Sequence, residues 1–377
     1  MTGSDKVDVA IIGGGTAGCA AALELRRRGL SVALFERRTV GSQASGVNYG
    51  GVRQQGRDPA ELPLSRRSRP IWDRLPALVG HDCEFMATGH LKLAYTPEQM
   101  AELEAWSAMA AEQGVETRLM GANALAEAYP GLITNAYGGS LCPTDGQANP
   151  RLVAPAFARA ARRAGAAIHE HEAVTGATRD AAGFRIETER GTRILAQSLI
   201  NVAGAWADHV ARWFGEFAPI QVLAPNMLVS EPVPYRLPVN IGVCGAGLYV
   251  RQIPRGNLIF GGGKGWADRE AIRARPLVEV SCQASAQLAR TLPWAANAAV
   301  IRSWTGIEGY FDDDIPVIGL SETTPGLVHA FGFSGHGFQL GPAIGEIVSE
   351  LVVEGKTTTP IDAFSIRRFA RAGHQAA

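Results

Sequence analysis

Hydrophobic residues near the start of the chain follow the pattern of a buried strand, a turn and a helix. Residues 7–12 form a short apolar run rich in β-branched side chains, as a strand buried on both faces requires. Glycines occupy residues 13–18, and residues 17–28 have the spacing of an amphipathic helix that ends in arginines. A second apolar run, residues 31–36, ends on an acid. The pattern predicts a βαβ unit with parallel strands.

The remaining chain alternates helical and strand-like segments. Amphipathic patterns predict helices over residues 97–113, 150–164, 277–292 and 341–353. Short β-branched runs predict strands at 167–171, 184–189 and 198–202, and an antiparallel sheet at 226–230, 248–251 and 258–261. A glycine-dense loop covers residues 332–337. Because the segments suited to nucleotide binding lie at both ends and in the middle, we expect a discontinuous domain interleaved with a second one.

Composition narrows the class of protein. Lys and Arg balance Asp and Glu at 36 each, which argues against nucleic acid or an anionic membrane as the main partner. No apolar run approaches the roughly 20 residues of a membrane span, and no cleavable signal is apparent. Five scattered cysteines without a C-x-x-C pair indicate reduced thiols and no metal site. We therefore expect a cytoplasmic protein without a transmembrane segment.

The motif Gly13-x-Gly15-x-x-Gly18 has the spacing of a dinucleotide-binding fingerprint. Its first glycine permits a tight turn, the second lets the backbone approach a pyrophosphate, and the third lets helix and strand pack closely. Glu36 follows 23 residues after Gly13, where an acid accepts ribose hydroxyls and disfavours a 2′-phosphate. These residues predict a bound dinucleotide other than NADP, but they do not distinguish FAD from NAD.

Three further segments resemble the D-amino acid oxidase superfamily of FAD-dependent enzymes, which includes glycine oxidase, sarcosine oxidase β-subunits and opine oxidases. They occur in the family's order along nearly the whole chain. The first is the loop G-S-Q-A-S-G-V-N-Y-G-G-V-R at residues 41–53. The second comprises D-G-Q-A-N-P at 145–150 and N-V-A-G-A-W at 201–206, and the third comprises W-T-G-I-E-G at 304–309 and G-F-S-G-H-G-F-Q at 332–339.

The resemblance implies an α/β fold with a discontinuous, Rossmann-like FAD-binding domain and an α+β substrate domain built on an antiparallel sheet. It divides the chain into residues 1–80, 143–218 and 300–377 for FAD, and residues 81–142 and 219–299 for substrate. It implies oxidation of the C–N bond of a small amine or amino acid by hydride transfer to flavin N5, giving an imine that hydrolyses.

The resemblance leaves the partners open. Electrons would pass to O2, to an electron-transfer partner or to a quinone, and the chain would act alone or in a hetero-oligomer with other oxidase subunits. Two alternatives stay open: an NAD-dependent dehydrogenase, and a non-catalytic, electron-relay flavoprotein subunit of a larger complex.

The resemblance also suggests site residues. Gly306 stands where a relative carries its flavin-linking cysteine, so we expect non-covalent FAD. Glu308 replaces a carboxylate-binding arginine and Gln339 a lysine, while Arg53 and Tyr249 match residues that bind carboxylate, and His336 lies in the flavin-ring loop. The expected FAD contacts are Gly13, Gly15, Thr16, Ala17, Gly18, Glu36, Arg37, Ser45, Gly50, Gly51, Val52, Val174, Ala203, Gly204, Trp206, Gly306, Gly335, His336, Gly337, Phe338 and Gln339.

Overall fold

The computed structural model describes residues 5–370. The ends of the predicted FAD-binding domain, residues 1–4 and 371–377, lie outside this range. The strands in chain order are β1 (Asp5–Ile12), β2 (Val32–Phe35), β3 (Gly51–Val52), β4 (His90–Ala94), β5 (Arg118–Gly121), β6 (Gly138–Cys142), β7 (Gly146–Gln147), β8 (Ala167–His169), β9 (Val174–Asp180), β10 (Gly183–Thr188), β11 (Arg193–Asn201), β12 (Gln221–Leu223), β13 (Pro225–Pro232), β14 (Asn240–Val243), β15 (Tyr249–Gln252), β16 (Asn257–Lys264), β17 (Trp266–Asp268), β18 (Arg273–Arg275), β19 (Val300–Trp304), β20 (Glu308–Tyr310), β21 (Val317–Leu320) and β22 (Leu327–Phe331).

The helices are α1 (Thr16–Arg27), α2 (Ala44–Val47), α3 (Leu62–Asp73), α4 (Leu75–Val79), α5 (Pro97–Glu112), α6 (Ala122–Ala128), α7 (Pro150–Arg163), α8 (Ala207–Trp213), α9 (Val278–Thr291) and α10 (Gly337–Glu354). Within residues 5–370, no helix is long and apolar enough to cross a membrane.

The first sheet has a parallel centre. Its strands lie in the order β21-β22-β11-β1-β2-β8, and β1 pairs in parallel with both β11 and β2. Alternate residues of β1 face opposite layers: Val9 and Ile11 pack against α1, α7 and α10, while Ala10 and Ile12 pack in the core of Phe184. This burial on both faces explains the continuous apolar run of β1.

The second sheet is almost wholly antiparallel. Its order is β19-β13-β16-β15-β14-β4-β6-β5, and only β14 and β4 run in parallel. Side chains such as Ile241, Val250 and Phe260 form its core with Leu288 of α9. The predicted α/β fold with a second, antiparallel sheet is confirmed. The domain division stays a prediction; β19, which begins at residue 300, lies in the antiparallel sheet.

Several elements differ from the sequence expectation. The helix α10 begins at Gly337, four residues before the predicted start at 341. The prediction was late because the glycines of the first turns and Pro342 obscure the helical pattern. The hydrophobic pattern predicts neither α3 nor the strands β4, β5 and β6. Strand β4 is short and pairs with β14 on one side and β6 on the other. Its formation therefore depends on partners distant in the chain, which the local pattern does not reveal.

Two glycines of α10 allow close contact with α1. A Cβ on Gly341 would lie 2.8 Å from Thr16 Cγ2, and a Cβ on Gly345 would lie 2.4 Å from Ala20 Cβ. These distances are too short for any larger residue without movement of the backbone. The two helices therefore approach as closely as their backbones permit, and their amino termini lie side by side.

We expect Gly345→Ala to destabilise the protein by about 1–3 kcal/mol, because the added methyl overpacks the helix contact. Glycine-to-alanine changes inside a helix ordinarily stabilise it by up to about 1 kcal/mol, so the sign of the change is diagnostic. Urea unfolding measures the free energy. Gly176→Ala is the control, since a Cβ there meets no atom within 4 Å. A Gly345→Ala protein as stable as wild type would show that the contact adapts without cost.

Candidate active site

A long cleft lies between the amino termini of α1 and α10. It is lined by the fingerprint turn, the end of β2, the loop before α2, the 201–206 segment with α8, and the loops around Glu308 and Gly335. Of the expected FAD contacts, it is lined by Gly13, Gly15, Thr16, Ala17, Gly18, Glu36, Arg37, Ser45, Val174, Ala203, Gly204, Trp206, Gly335, Gly337 and Phe338.

The fingerprint glycines are required by close backbone contacts. Gly13 has φ +119°, and a Cβ on it would lie 2.3 Å from the Val202 carbonyl oxygen. A Cβ on Gly18 would lie 2.0 Å from the Gly13 carbonyl oxygen. These contacts hold the β1–α1 turn against the end of β11, so that the cleft runs directly over the α1 amino terminus.

Glu36 is held at the end of β2 by two backbone amides. Its Oε2 accepts a hydrogen bond of 2.8 Å from Gly14 N, and its Oε1 accepts one of 2.8 Å from Arg38 N. Carboxylate oxygens have further lone pairs available to ribose hydroxyls. The structure therefore places this acid in the cleft lining, and its contact with a ribose stays a prediction.

The amino terminus of α1 suits a pyrophosphate. Gly15 is the N-cap and contributes no side chain, and Thr16 N donates to Ser45 Oγ at 3.0 Å, so the amides of Ala17 and Gly18 remain for a ligand. Thr16 Oγ1 is buried, lines the cleft and has no partner within residues 5–370. A buried hydroxyl without a partner is costly unless a ligand supplies one. The glycine cradle and this hydroxyl fit the diphosphate of a dinucleotide.

Aromatic and cationic side chains cover the cleft beside Glu36. The Arg37 guanidinium lies 4.0 Å from the centre of the Trp206 ring, and Trp206 Nε1 donates to the Arg269 carbonyl oxygen at 3.2 Å. His209 and Trp213 of α8 also line this part. Flat ring surfaces next to an acid that can accept from ribose hydroxyls suit the adenosine half of a dinucleotide.

The opposite part, the α10 end, comprises residues 307–309 and 332–338. Gly335 has φ +82°, which places the chain in the left-handed turn that leads into α10. The helix has no side-chain cap, and Gly337 and Phe338 line the cleft. Free amides and the positive end of the helix dipole there favour a ligand atom that carries negative charge.

His336 does not line the cleft. Its Nδ1 lies 2.7 Å from Glu61 Oε2 on the opposite side of the loop. Burial, with the charge of Arg57, lowers the pKa of His336 to about 4. Because the ring is therefore neutral at pH 7, its Nδ1–H donates to the Glu61 carboxylate. His336 anchors the start of α10 rather than facing the cleft.

Three other candidates also lie outside the cleft lining. Gln339 is fully buried and exchanges hydrogen bonds with Ser65 of α3. Tyr249 donates at 2.9 Å to the Asn226 carbonyl oxygen. Arg53 donates to the Gln55 carbonyl oxygen of its own loop. Among the five candidates for substrate chemistry, the structure brings only Glu308 to the cleft lining.

The candidates Gly50, Gly51, Gly306 and Val52 lie outside the cleft lining. A Cβ on Gly306 would lie 2.1 Å from Val47 Cγ2 of α2, and one on Gly50 would lie 2.3 Å from the Ala148 carbonyl oxygen. Close packing of the loop of residues 41–53 against other segments therefore explains Gly50 and Gly306.

Glu308 is a buried carboxylate at the α10 end. It is 8% exposed, and its Oε2 accepts a hydrogen bond of 3.2 Å from the Tyr310 hydroxyl. Burial raises the pKa of the Glu308 carboxyl to about 7, against a smaller lowering effect of the Tyr310 bond. No cation within residues 5–370 forms a salt bridge with it. Glu308 is therefore an acid whose charge state changes near neutral pH.

Part of the cleft lining is formed by residues that the sequence motifs do not predict. Gly14, Ser42, Gln43, Ala44 and Asn48 line the cleft within segments that the motifs had already marked, so their positions alone would have suggested them. His209 and Trp213 of α8, and Phe333 and Ser334 before α10, also line it. The α8 residues carry no motif, since only the packing of α8 brings them to the cleft.

Comparison with known proteins agrees with this geometry. A protein family described as FAD dependent oxidoreductase matches residues 8–351. The chain is 29% identical to a glycine oxidase of Geobacillus kaustophilus, with 96% of this chain and 97% of that protein covered. It is 26% identical to an opine oxidase subunit of Rhizobium meliloti, with 97% and 98% covered. The crystal structure of an L-proline dehydrogenase from P. horikoshii superposes with a TM-score of 0.91 at 29% identity, covering 98% and 99%.

We expect Thr16→Val to weaken FAD binding about tenfold or more, because a hydrogen bond to a charged group contributes about 1.5–3 kcal/mol. Fluorescence titration of the apoprotein with FAD measures the dissociation constant. Ser349→Ala is the matched control, since Ser349 Oγ is also buried without a partner among residues 5–370 but lies in α10 outside the cleft lining. Equal affinities of Thr16→Val and wild type would place the diphosphate elsewhere.

We expect Glu308→Gln to stabilise the protein in a pH-dependent manner. Because the folded-state pKa is raised from 4.5 to about 7, the folded protein binds the proton more tightly than the unfolded chain. Wild-type stability therefore falls as pH rises from about 4.5 to 7, by about 3 kcal/mol in total. Glutamine removes this loss, so the variant should gain up to about 3 kcal/mol at pH 8 and progressively less towards pH 5.

Urea unfolding at several pH values, with FAD at one saturating concentration, measures this difference. Glu104→Gln on the exposed face of α5 is the control. A stability difference between Glu308→Gln and wild type that does not change with pH would contradict the burial of a titrating carboxyl.

Proposed function

This chain belongs to the family of FAD-dependent oxidoreductases, and from that premise we propose that it oxidises the C–N bond of a small amine or amino acid. The observation that carries the proposal is one cleft with a dinucleotide cradle at α1 and a cluster of free amides at α10. The bound FAD supplies a hydride acceptor at N5, and the resulting imine hydrolyses in water. The relatives are named as enzymes that oxidise glycine, opines and proline, and these names support this class of substrate.

The protein's own residues bind the cofactor and position it in the cleft. The Thr16 hydroxyl and the amides of Ala17 and Gly18 bind the diphosphate, and Glu36 binds the ribose. Gly13, whose amide donates to the Phe35 carbonyl oxygen, permits the turn. The amides of Gly337 and Phe338 stabilise negative charge that develops at the α10 end of the cleft. This stabilisation needs no proton transfer from the protein, since the helix dipole and amides are already oriented.

His336 and Gln339 act as positioning residues in this proposal. His336 binds Glu61, and the Gln339 carbonyl accepts hydrogen bonds from Ser68 and Trp72 of α3. These contacts fix the first turn of α10, which carries the free amides. We retain Arg53 and Tyr249 as predicted carboxylate ligands, although each is engaged with a backbone carbonyl.

Electrons leave to O2, to a partner protein or to a quinone. The relative named as one subunit of an opine oxidase supports work within a hetero-oligomer. The cysteines Cys19, Cys83, Cys142, Cys244 and Cys282 are free thiols, which supports a reducing, cytoplasmic location.

The test is anaerobic reduction of the purified yellow protein by a panel of sarcosine, proline, glycine, D-amino acids and opines. We expect at least one amine to bleach the flavin absorbance, with the spectrum restored by O2 or an artificial acceptor. Acid denaturation should release all the yellow colour, because no cysteine stands at Gly306; retained colour would contradict non-covalent binding.

Two outcomes would favour the alternatives. Flavin that dithionite bleaches but no amine reduces would indicate an electron-relay subunit. Colourless protein that takes up no FAD would favour an NAD-dependent dehydrogenase. Glu104→Gln is the control for loss of FAD during purification, since its side chain lies on an exposed helix face.

A further inference from the structure

Glu308 lies beside Tyr310 at the α10 end of the cleft. The Tyr310 hydroxyl donates to Glu308 Oε2 at 3.2 Å. A Cβ on Gly335 would lie 3.1 Å from the Tyr310 hydroxyl and 4.0 Å from the same carboxylate oxygen. The acid is therefore buried next to the turn that begins α10.

No cation of the described part of the protein forms a salt bridge with Glu308. Tyr310 is the only group within residues 5–370 that donates a hydrogen bond to the carboxylate. Lys264, at the end of β16, is exposed and lies over the Tyr310 ring at 5.0 Å from its centre. The cationic lining residues Arg37 and Arg38 lie at the end of β2, with Trp206. A buried acid without a cation is a costly arrangement that a cationic ligand would relieve.

We propose that Glu308 binds the substrate amine as its ammonium ion and removes one proton from it before the C–H bond breaks. This proposal rests on the proposed function and names the group that prepares the substrate. A buried carboxylate that lines the cleft and forms no salt bridge within residues 5–370 suits an ammonium ion, since it presents negative potential to a cation.

The proton step balances within the proposed pair. An N–H bond of the ammonium breaks, an O–H bond forms on Glu308, and the electron pair stays on nitrogen. That pair is required next, because hydride loss from the adjacent carbon leaves a C=N bond that only a nitrogen lone pair can form. The two electrons of the hydride pass to FAD, the oxidant of the proposed reaction. A carboxylate with pKa about 7 is suited to accept the proton near neutral pH.

The same geometry constrains how the substrate is oriented. Like charges repel strongly inside a protein. We therefore infer that the amine of the substrate lies towards Glu308 and that a substrate carboxylate, where one is present, is bound away from it.

Binding of two isosteric probes of opposite charge tests the cation site. tert-Butylammonium has no hydrogen on the carbon next to nitrogen, so it binds without being oxidised, and pivalate has the same shape with a negative charge. We expect tert-butylammonium to perturb the flavin absorption spectrum of the FAD-loaded protein at concentrations at least about tenfold lower than pivalate, a difference of about 1.4 kcal/mol. We expect Glu308→Gln to abolish that preference, and Glu104→Gln to retain it. Equal binding of both probes, or no binding of the cation, would overturn the proposal.

The pH dependence of anaerobic flavin reduction tests the proton step. With wild type, the rate at low substrate concentration should rise with pH through about 7. With Glu308→Gln, only the neutral amine reacts, so the rise should move to the amine's own pKa near 10, a value about that of the lysine amine. At pH 8 the rate of flavin reduction by Glu308→Gln should therefore be about 100-fold below that of wild type, and it should recover by about pH 10. A merely structural defect would not recover at high pH.

A second variant covers a failure of Glu308→Gln to fold or to retain FAD. Tyr310→Phe removes the hydrogen bond that lowers the pKa of Glu308. The rise of the flavin-reduction rate with pH should therefore shift to higher pH in this variant, while the plateau rate changes less than in Glu308→Gln. Wild-type profiles for both variants would overturn the proposal.

The outcomes separate this proposal from the proposed function. If no amine reduces the flavin of the wild type, the proposed function fails, and the probe experiment still decides whether Glu308 binds cations. If amines reduce it with no dependence on Glu308, the proposed function stands and this inference fails.

Discussion

The contact between α1 and α10 is the constraint on which the cleft depends. Gly341 and Gly345 of α10 lie directly against Thr16 and Ala20 of α1, at distances that no side chain beyond hydrogen permits. This contact joins the first and last parts of the described chain. Because the two amino termini then lie side by side, two sets of unpaired amides face one cleft. A single ligand with a diphosphate and a charge-accepting ring can contact both.

The anchoring of α10 explains why two candidate side chains lie away from the cleft. In the first helical turn, successive side chains point in different directions, while the free amides all point along the axis towards the amino terminus. His336 and Gln339 face α3 and are held there by Glu61 and Ser65. The backbone of the same turn faces the cleft. A motif that marks this loop therefore identifies the functional backbone, while its polar side chains keep that backbone in place.

Electrostatics divides the cleft into two regions. Beside Glu36, arginines and aromatic rings surround the acid, and hydrogen bonds from the backbone compensate its charge. At the α10 end, Glu308 has only the Tyr310 hydroxyl for compensation among residues 5–370. Burial of an acid in that manner opposes folding at neutral pH. The fold tolerates this cost at a position that faces the cleft, which is typical of residues whose function requires a shifted pKa.

The sequence by itself determined the local elements of the cofactor half: β1, the glycine turn, α1 and Glu36 follow from an apolar run, three spaced glycines and an acid, because each depends on neighbours in the chain. The order of motifs also indicated FAD and an antiparallel second sheet. Only the tertiary structure decided which side chains face the cleft, since that depends on packing between segments distant in sequence. In the folded protein, His336 and Gln339 face α3, and Gly306 packs against Val47. Helix α8 lines the cleft, and Glu308 lies there without a cation from the described residues. Periodicity reveals which face of an element is buried, but not which distant element will cover it.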